Sequence, residues 1–294
     1  MTVKKIIIDK DNSGRRLDNY LISIYSSVPK SKIYSIIRKG EVRVNSSRVK
    51  PSYKLVYNDN IRIPPNLNTS SAMVKSIKTD LVNKHTQDIL FVDNNFIIIN
   101  KKSGIAVHGG SKNNIGLIDI FREKFGKNID LCHRLDKNTS GCLVFGKNKK
   151  AVKFFNNALK NNEIKKIYMA VIKGNLSKDI TVDKPIYKNI PSRKKNSTSR
   201  FTKIKSLKDT TLVDIEIFTG RTHQIRIHAA IINHPIIFDN KYGDKYFNKN
   251  INVVTKKNIA LHSKSISFMS PTSKPISIKC SPPNEFNNLI KGLE

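Results

Sequence analysis

Hydrophobic spacing predicts two short helices and a few short strands in the first 63 residues. Apolar residues at positions 17, 20, 21 and 24 share one face of a helix. Pro29 ends this pattern, and a second helix is predicted from residue 30, with Gly40 as its C-terminal cap. The buried face of the second helix consists of Ile33, Ile36 and Ile37. Positions 42 and 44 then alternate as in a strand, and residues 55–63 predict a strand pair that turns around positions 58 and 59.

The apolar periodicity disappears between about residue 64 and residue 88. This stretch begins with two prolines, continues with Asn, Thr and Ser, and carries scattered lysines. Such a composition is typical of a linker. We therefore predict a small first domain at 1–66, a linker at 67–86 and a larger second domain at 87–294.

Strand patterns outnumber helical patterns in the larger domain. Two apolar runs, 89–92 and 96–99, flank a turn sequence and predict a hairpin. Helices are predicted at 117–125 and 149–160, and further strands at 143–145, 167–172, 201–206, 212–218, 259–268 and 275–280. Short connections between strands indicate an α+β domain with a mixed, largely antiparallel sheet. A polar segment, 191–199, is expected to form a basic, mobile loop.

The charge of the chain indicates a polyanionic partner. Lys and Arg number 54 against 22 Asp and Glu, which gives a formal net charge of +32. Only 12 of the 54 basic residues are arginine, so the chain is strongly biased toward lysine. A position that keeps arginine in such a chain indicates a need for the planar guanidinium. The second predicted helix and the strand after it carry a basic face, for which we predict RNA contacts: Lys32, Arg38, Lys39, Arg43 and Arg48.

Other chain-level features favour a protein of the cytoplasm. No stretch approaches the roughly 20 apolar residues of a membrane span, and the first apolar run is too short for a secretory signal. The three cysteines are odd in number, and their spacing matches neither a disulfide framework nor a metal knuckle: Cys132, Cys142 and Cys280. We expect a reduced, cytoplasmic protein and, without an interface signal, a monomer.

One nine-residue string carries the strongest chemical signal. Residues 133–141 read His-Arg-Leu-Asp-Lys-Asn-Thr-Ser-Gly and directly precede a strand that is expected to be buried. Asp136 therefore lies beside Arg134 and Lys137 at the entrance of a strand. Such a position can hold an ionised carboxylate and present it to a substrate, although a structural ion pair would use the same residues.

This string resembles the HRLDxxTSG motif of the RluA-like family of pseudouridine synthases. Three further segments resemble the family in order and spacing: 103–110, 166–174 and 220–228. The pattern of the first 63 residues resembles the S4 RNA-binding domain. The resemblance covers nearly the whole chain, with small departures at Lys102, where proline is frequent, and at Gly146, where alanine is common.

The resemblance implies a pseudouridine synthase fold and isomerisation of uridine to pseudouridine in ribosomal RNA of the large subunit, without a cofactor or a metal. It makes Asp136 the essential carboxylate, acting as a nucleophile or as a base toward the ribose. It assigns catalytic roles also to Arg221, as the partner of Asp136, and to Tyr168, which would lie against the target base. Arg134 would enter the RNA when the uridine is flipped out of its stack.

Several other interpretations of these residues are weaker. Residues 141–148 nearly match a phosphate-binding loop, but Asn148 replaces the required Ser or Thr. The histidines at 223, 228 and 234 lack the spacing of metal ligands, and we expect them to be packed or hydrogen-bonded. The serious alternative is an RNA-binding ribosome assembly factor that keeps a synthase fold without catalysis.

Overall fold

A computed structural model describes residues 3–25, 28–65, 67, 77–109, 115–186, 196–251, 253 and 258–294. The chain divides into two compact units, Met1–Ser76 and Ile77–Glu294. The predicted boundaries at 66 and 86 stay a prediction. Residues 191–195 of the predicted basic loop lie outside the described residues, whereas Thr198 and Ser199 already belong to a strand.

Unit 1 combines two helices with a small antiparallel sheet. Its elements are β1 Lys4–Ile7, α1 Leu17–Ile24, α2 Lys30–Arg38, β2 Arg43–Val44 and β3 Asn60–Ile63. The sheet has the order β1-β3-β2. Both helices match the predicted spacing, and their isoleucine and leucine faces pack into one core with the apolar residues of β2 and β3.

The predicted pairing of two strands within residues 55–63 is wrong. β3 pairs with β1 and β2, and residues 55–57 form no strand of the described sheet. The side chain of Asp59 explains this, because it accepts hydrogen bonds from the Val56 backbone amide, the Tyr53 hydroxyl and the Asn45 side-chain amide. These contacts close the preceding residues into a turn, so the strand begins only after them.

Unit 2 contains one large sheet with helices. Its elements are α3 Thr79–Thr86, β4 Ile89–Val92, β5 Phe96–Lys101, α4 Leu117–Phe125, β6 Asp130–Leu131, β7 Ser140–Gly146, α5 Lys149–Lys160, β8 Lys165–Lys173, β9 Ile180–Asp183, β10 Thr198–Leu207, β11 Thr210–Ile217, α6 Gln224–Ile231, α7 Lys245–Asn250, β12 Leu261–Met269, β13 Pro275–Lys279 and α8 Asn284–Lys291.

The sheet of unit 2 is mixed and mostly antiparallel, as predicted. Its strands follow the order β4-β5-β7-β12-β8-β11-β10-β9, with β13 beside β12 and β6 beside β7. The pair β7–β12 is parallel, whereas the neighbouring pairs β5–β7 and β12–β8 are antiparallel. The predicted hairpin at 89–99 and the two predicted helices are confirmed.

The centre of this sheet is covered on both faces. Alternate residues of β5 and β7 enter two separate apolar clusters, with Leu143 and Phe145 in one and Cys142 and Val144 in the other. α4 packs on the first cluster, and α5 packs on the second. Burial on both faces explains why β7 is a continuous apolar run instead of an alternating one.

Helix α3 lies in residues where the sequence predicts a linker. Only Val82 and Thr86 of this polar helix are buried, so its apolar periodicity is too weak to be recognised. The helix is held by contacts that are distant in sequence: the ammonium of Lys124 in α4 donates to the Thr86 hydroxyl at 2.7 Å. Sequence periodicity also missed three other short helices, α6, α7 and α8.

Candidate active site

A buried lysine, Lys101, holds the loop that carries Asp136 through hydrogen bonds. The ammonium of Lys101, at the end of β5, donates to the carbonyl oxygens of Lys102, Lys137 and Thr139 at 2.7–3.0 Å. Burial lowers the pKa of Lys101 to about 7, and the Asp136 carboxylate opposes this shift. Two of these acceptors, the carbonyl oxygens of Lys137 and Thr139, follow Asp136 in the loop, so Lys101 fixes the loop directly after Asp136 without using its carboxylate.

The other residues of the motif join this loop to the sheet. His133 accepts a hydrogen bond from the Val144 amide through Nε2, and burial lowers the pKa of His133 to about 3, so the ring stays neutral. Ser140 contacts the buried ring of His262 at 2.9 Å. At Gly141, φ is +111°, and a Cβ atom would overlap the Ser263 backbone of the parallel strand β12.

Asp136 forms an ion pair with Arg226 of α6. Arg226 Nη1 lies 3.0 Å from Asp136 Oδ2, while its Nε and Nη2 bind both oxygens of Asp239 at 2.7 Å. Burial opposes ionisation of Asp239, but Arg226 and the amides of Lys241 and Tyr242 outweigh burial and lower the pKa of Asp239. The guanidinium is therefore locked between two carboxylates, and it fixes the position of Asp136.

One oxygen of the Asp136 carboxylate remains available. The ion pair uses Oδ2, and Oδ1 accepts no hydrogen bond within the part of the chain that the structure describes. The side chain is 31% exposed and lines a cleft. This geometry presents an oriented carboxylate oxygen to a bound substrate.

The predicted pairing of Asp136 with Arg221 is wrong. Arg221 is exposed, and its Nε donates to the Asn196 carbonyl oxygen at 3.4 Å. Arg221 precedes α6, whereas Arg226 lies in the first turn of the helix and faces Asp136. A linear motif contains both arginines, and only the helix geometry decides which one points to the carboxylate. Arg221 still lines the same cleft.

The start of α6 is shaped by two polar residues. His223 adopts a left-handed backbone conformation with φ of 57° and contacts the Tyr242 hydroxyl through Nδ1 at 3.1 Å. Burial lowers the pKa of His223, so its contact with Asp136 Oδ2, at 3.8 Å, involves a neutral ring. The buried Gln224 accepts hydrogen bonds from the Thr219 hydroxyl and the Arg221 amide.

A cleft opens beside Asp136. Its volume is about 470 Å³, and a smaller recess of about 70 Å³ adjoins it. Tyr168 of β8, Arg134 and Arg221 line both spaces together with Asp136. Burial raises the pKa of Tyr168 to about 12, so its hydroxyl stays protonated at neutral pH. The structure thus brings the four predicted residues of this unit into one site.

The predicted RNA-binding residues of unit 1 form a group of unpaired cations. Lys32, Arg38, Lys39 and Arg48 are exposed, and Arg43 is half-buried. None of the five forms an ion pair within the described residues. Their RNA contacts stay a prediction.

The histidines at 223, 228 and 234 are hydrogen-bonded, as predicted. His228 is buried between the Ser199 hydroxyl and the Lys184 carbonyl oxygen, each at 3.0 Å, and His234 contacts the Lys173 carbonyl oxygen. The described ranges contain no group of three His, Cys, Asp or Glu side chains suited to a metal. They also contain no helix that is long and apolar enough to cross a membrane.

Sequence reasoning did not identify Arg226, Asp239 and Lys101 as parts of the site. For Arg226 and Asp239 a signal existed, since an arginine that persists in a lysine-rich chain suggests a bidentate carboxylate partner. For Lys101 no such signal exists, because its partners are backbone carbonyl oxygens.

The RNA pseudouridylate synthase family model matches residues 95–231, and the S4 domain model matches residues 15–61. The chain belongs to the pseudouridine synthase family and is an isomerase of uridine in RNA, with an S4 domain ahead of its synthase domain. The fold, the family and the enzyme class predicted from the sequence are thereby confirmed.

Close relatives share nearly the full length of the chain. The ribosomal large subunit pseudouridine synthase C of Pasteurella multocida is 39% identical over 283 residues, covering 92% of this chain and 87% of the relative. The enzyme of the same name from Haemophilus influenzae is 40% identical, with 92% and 88% covered. The Escherichia coli enzyme of that name is 36% identical, with 92% and 90% covered.

Solved structures with the same fold include two human proteins. Human RNA pseudouridylate synthase domain containing 4 has a TM-score of 0.61 at 23% identity, and covers 73% of this chain and 95% of its own. Human RNA pseudouridylate synthase domain containing 1 has a TM-score of 0.57 at 22% identity, with 67% and 83% covered.

Proposed function

We propose that this enzyme isomerises specific uridines to pseudouridine in the 23S RNA of the large ribosomal subunit. The observation that carries the proposal is the fixed Asp136 carboxylate, held by Arg226 at the base of a cationic cleft. Relatives named ribosomal large subunit pseudouridine synthase C, at 36–40% identity, support the choice of RNA. The substrate is either free 23S RNA or a large-subunit assembly intermediate.

The reaction breaks the bond between N1 of uracil and C1′ of the ribose. The electron pair of that bond leaves with N1, the freed base rotates within the site, and C5 forms the new bond to C1′. The hydrogen on C5 then leaves as a proton while N1 gains one, so atoms and electrons balance. Asp136 supplies either the nucleophile or the base toward the ribose, and its free Oδ1 suits both roles.

Tyr168, Arg221 and Arg134 have separate roles in this proposal. Tyr168 lies against the target base, and its protonated hydroxyl serves as a hydrogen-bond donor before it takes any part in removal of the C5 proton. Arg221 contributes positive charge beside the reacting ribose. Arg134 is exposed at the rim of the cleft and fills the gap that the flipped uridine leaves in the RNA.

Unit 1 supplies RNA affinity and placement. In this proposal residues 1–66 form the RNA-binding domain, 67–86 the linker and 87–294 the catalytic domain. The basic face at Lys32, Arg38, Lys39, Arg43 and Arg48 binds phosphates and contributes no chemistry. We propose further that the enzyme acts as a monomer in the cytoplasm, where ribosome assembly takes place.

The reaction requires no cofactor, because no redox change occurs and no group is lost. Turnover on unmodified RNA is therefore expected to survive exhaustive chelation, provided that monovalent salt keeps the RNA folded. Release of tritium with and without chelator measures this. Loss of turnover that only added zinc restores would contradict the expectation.

Two measurements test the proposed function together. Tritium release from an unmodified 23S transcript labelled at uridine C5 measures turnover, since bond formation at C5 expels the label to water. Chemical mapping of pseudouridine in 23S RNA from cells with and without the protein identifies the modified positions. Release of tritium together with the loss of particular pseudouridines is the expected result.

The same experiment addresses the non-catalytic alternative. An assembly factor would bind the transcript, release no tritium and leave the pseudouridine map unchanged. That combination of results would refute the proposed function.

A further inference from the structure

Lys166 is a buried cation of the active-site cleft that has no role in the chemistry described above. It lies in β8 two residues before Tyr168, so both side chains leave the strand on the same side. Both residues line the cleft beside Asp136. Only 6% of the Lys166 surface is exposed, whereas its neighbour Lys165, on the other side of the strand, is exposed.

The ammonium of Lys166 has no partner of opposite charge in this chain. All 22 Asp and Glu residues lie within the described ranges, and none of them forms an ion pair with Lys166. No described residue accepts a hydrogen bond from its ammonium either. The segments outside the described ranges contain no carboxylate, so they cannot supply the missing charge.

Lys101 is a second buried lysine of the same unit, and its ammonium has a full set of hydrogen-bond acceptors. Its ammonium donates to three backbone carbonyl oxygens, so its burial serves the structure of the catalytic loop. Within the part of the chain that the structure describes, Lys166 has no equivalent acceptors. Burial lowers the pKa of Lys166 to about 8, and no neighbouring carboxylate opposes this shift. The side chain of Lys166 is largely buried, but its ammonium is not sealed from the cleft that it lines, so this unpaired cation is available to an anionic ligand.

The surroundings of Lys166 select for an anion. Arg134, Lys137 and Arg221 line the same cleft, and Asp136 is the single carboxylate among its lining residues. Arg226 already neutralises Asp136. A ligand that enters this space therefore meets an excess of positive charge.

The anionic group that RNA brings to such a site is a backbone phosphate. The uracil and ribose of the target nucleotide must lie at Asp136 and Tyr168, and Lys166 is adjacent to Tyr168 along the strand direction. Two residues along a strand span about 6.4–6.8 Å, so the side chains of Lys166 and Tyr168 can reach neighbouring parts of one bound nucleotide. The contact is thus geometrically suited to a phosphate next to the reacting nucleotide.

We propose that Lys166 is a substrate-binding residue whose ammonium contacts a phosphodiester flanking the target uridine inside the active-site cleft. This inference rests on the proposed function, because it takes RNA as the substrate. Lys166 is therefore distinct from the exposed cations of unit 1: its phosphate is the one next to the reacting nucleotide, and the contact forms only when that nucleotide occupies the cleft.

The test compares three variants of the full chain: Lys166→Met, Lys166→Arg and Lys165→Met. Methionine keeps most of the side-chain length without the charge, so the melting temperature of Lys166→Met is expected to be unchanged or higher. Its Kd for an unmodified 23S transcript should rise roughly tenfold or more. The slope of log Kd against log salt should become shallower by about one.

Lys166→Arg and Lys165→Met serve as controls. Arginine keeps the charge, so the salt slope of Lys166→Arg should equal that of the wild type. Lys165→Met removes an exposed charge on the opposite side of β8 and should change neither Kd nor slope appreciably. Tritium release from the same transcript is measured for every variant.

Three results would overturn the proposal. Wild-type affinity and slope in Lys166→Met would show that no phosphate is bound there, and weaker binding with an unchanged slope would indicate an uncharged contact. A lowered melting temperature with an unchanged slope would indicate a structural role. Absence of tritium release by the wild type would refute the proposed function instead, and the affinity measurements would still decide the role of Lys166.

Discussion

The two units of this protein use positive charge in opposite ways. In unit 1 the cations at positions 32, 38, 39, 43 and 48 lie on the surface or are half-buried, and none forms an ion pair with another described residue. In unit 2 the side chain of Arg226 is 14% exposed, and its guanidinium bonds to two carboxylates. The cations of unit 1 are therefore available to bind a partner. The guanidinium of Arg226 instead uses its hydrogen bonds within the protein, where it fixes the position of Asp136.

This difference separates the energetics of binding from those of catalysis. Exposed cations act on RNA through counterion release, which is roughly additive and depends on salt. A buried ion-pair network depends on geometry, and the removal of one member leaves another charge unpaired. We therefore expect substitutions in unit 1 to weaken binding gradually and substitutions around Asp136 to abolish turnover.

The largest effect is expected for Asp136→Asn. Asparagine has nearly the same size, and its side-chain oxygen can still accept a hydrogen bond from Arg226, so the fold should persist. It has no negative charge for attack or proton abstraction, and turnover should fall on the order of 10³-fold or more. Tritium release and RNA retention are measured side by side. Substantial turnover in a folded variant would remove Asp136 from the mechanism.

Arg226→Met and Arg221→Met form the next comparison. Loss of Arg226 leaves Asp239, which is 1% exposed, without its countercharge, so unfolding should become easier by about 3–5 kcal/mol and turnover should collapse. Arg221 is exposed, so its variant should keep its stability within about 0.5 kcal/mol. Chemical denaturation and single-turnover assays measure both. Equal destabilisation by the two substitutions would contradict the assigned pairing.

A smaller effect is expected from the basic face of unit 1. Lys32→Gln with Lys39→Gln should weaken RNA binding roughly tenfold and reduce the salt slope by about two, because two phosphate contacts are lost. Turnover at saturating RNA should not change. The matched control is Lys4→Gln with Lys5→Gln, which removes the same charge from β1, outside the predicted face. If the control variant lost as much of the salt slope of RNA binding, the predicted basic face would have no special role in that binding.

The smallest effect concerns acid stability of the buried network. Asp239 has a folded-state pKa below its ordinary value of 3.8. Its ionised form therefore stabilises the fold above that ordinary value, and this contribution disappears as the pH falls through the lower folded value. The wild type should exceed Asp239→Asn in unfolding free energy at pH 7, and the gap should narrow below pH 3.8. A gap that is constant with pH would contradict this linkage.

Regular elements with a strong apolar period could be predicted from the sequence. The helices at 117–125 and 149–160 agree with the structure because their apolar faces are wide and long. The helix α3 and the partner of β3 could not be predicted, because they depend on contacts with α4 and on hydrogen bonds around Asp59. Short elements obtain their stability from such tertiary contacts more than from their own sequence.

The sequence by itself determined the chemical groups of this protein. The motif at 133–141, the net charge of +32 and the order of the segments that resemble the family were sufficient to predict the family, the fold class and the carboxylate that lines the cleft. These properties depend on residue type and local order, which a linear string contains in full.

Only the tertiary structure decided which arginine meets Asp136. Arg221 and Arg226 are five residues apart in one motif, and both are compatible with a carboxylate partner. The helix α6 begins between them and rotates Arg226 toward Asp136 and Asp239, 90 and 13 residues away in the chain. The partner of a charge is set by distances across the fold, and the linear sequence does not contain those distances.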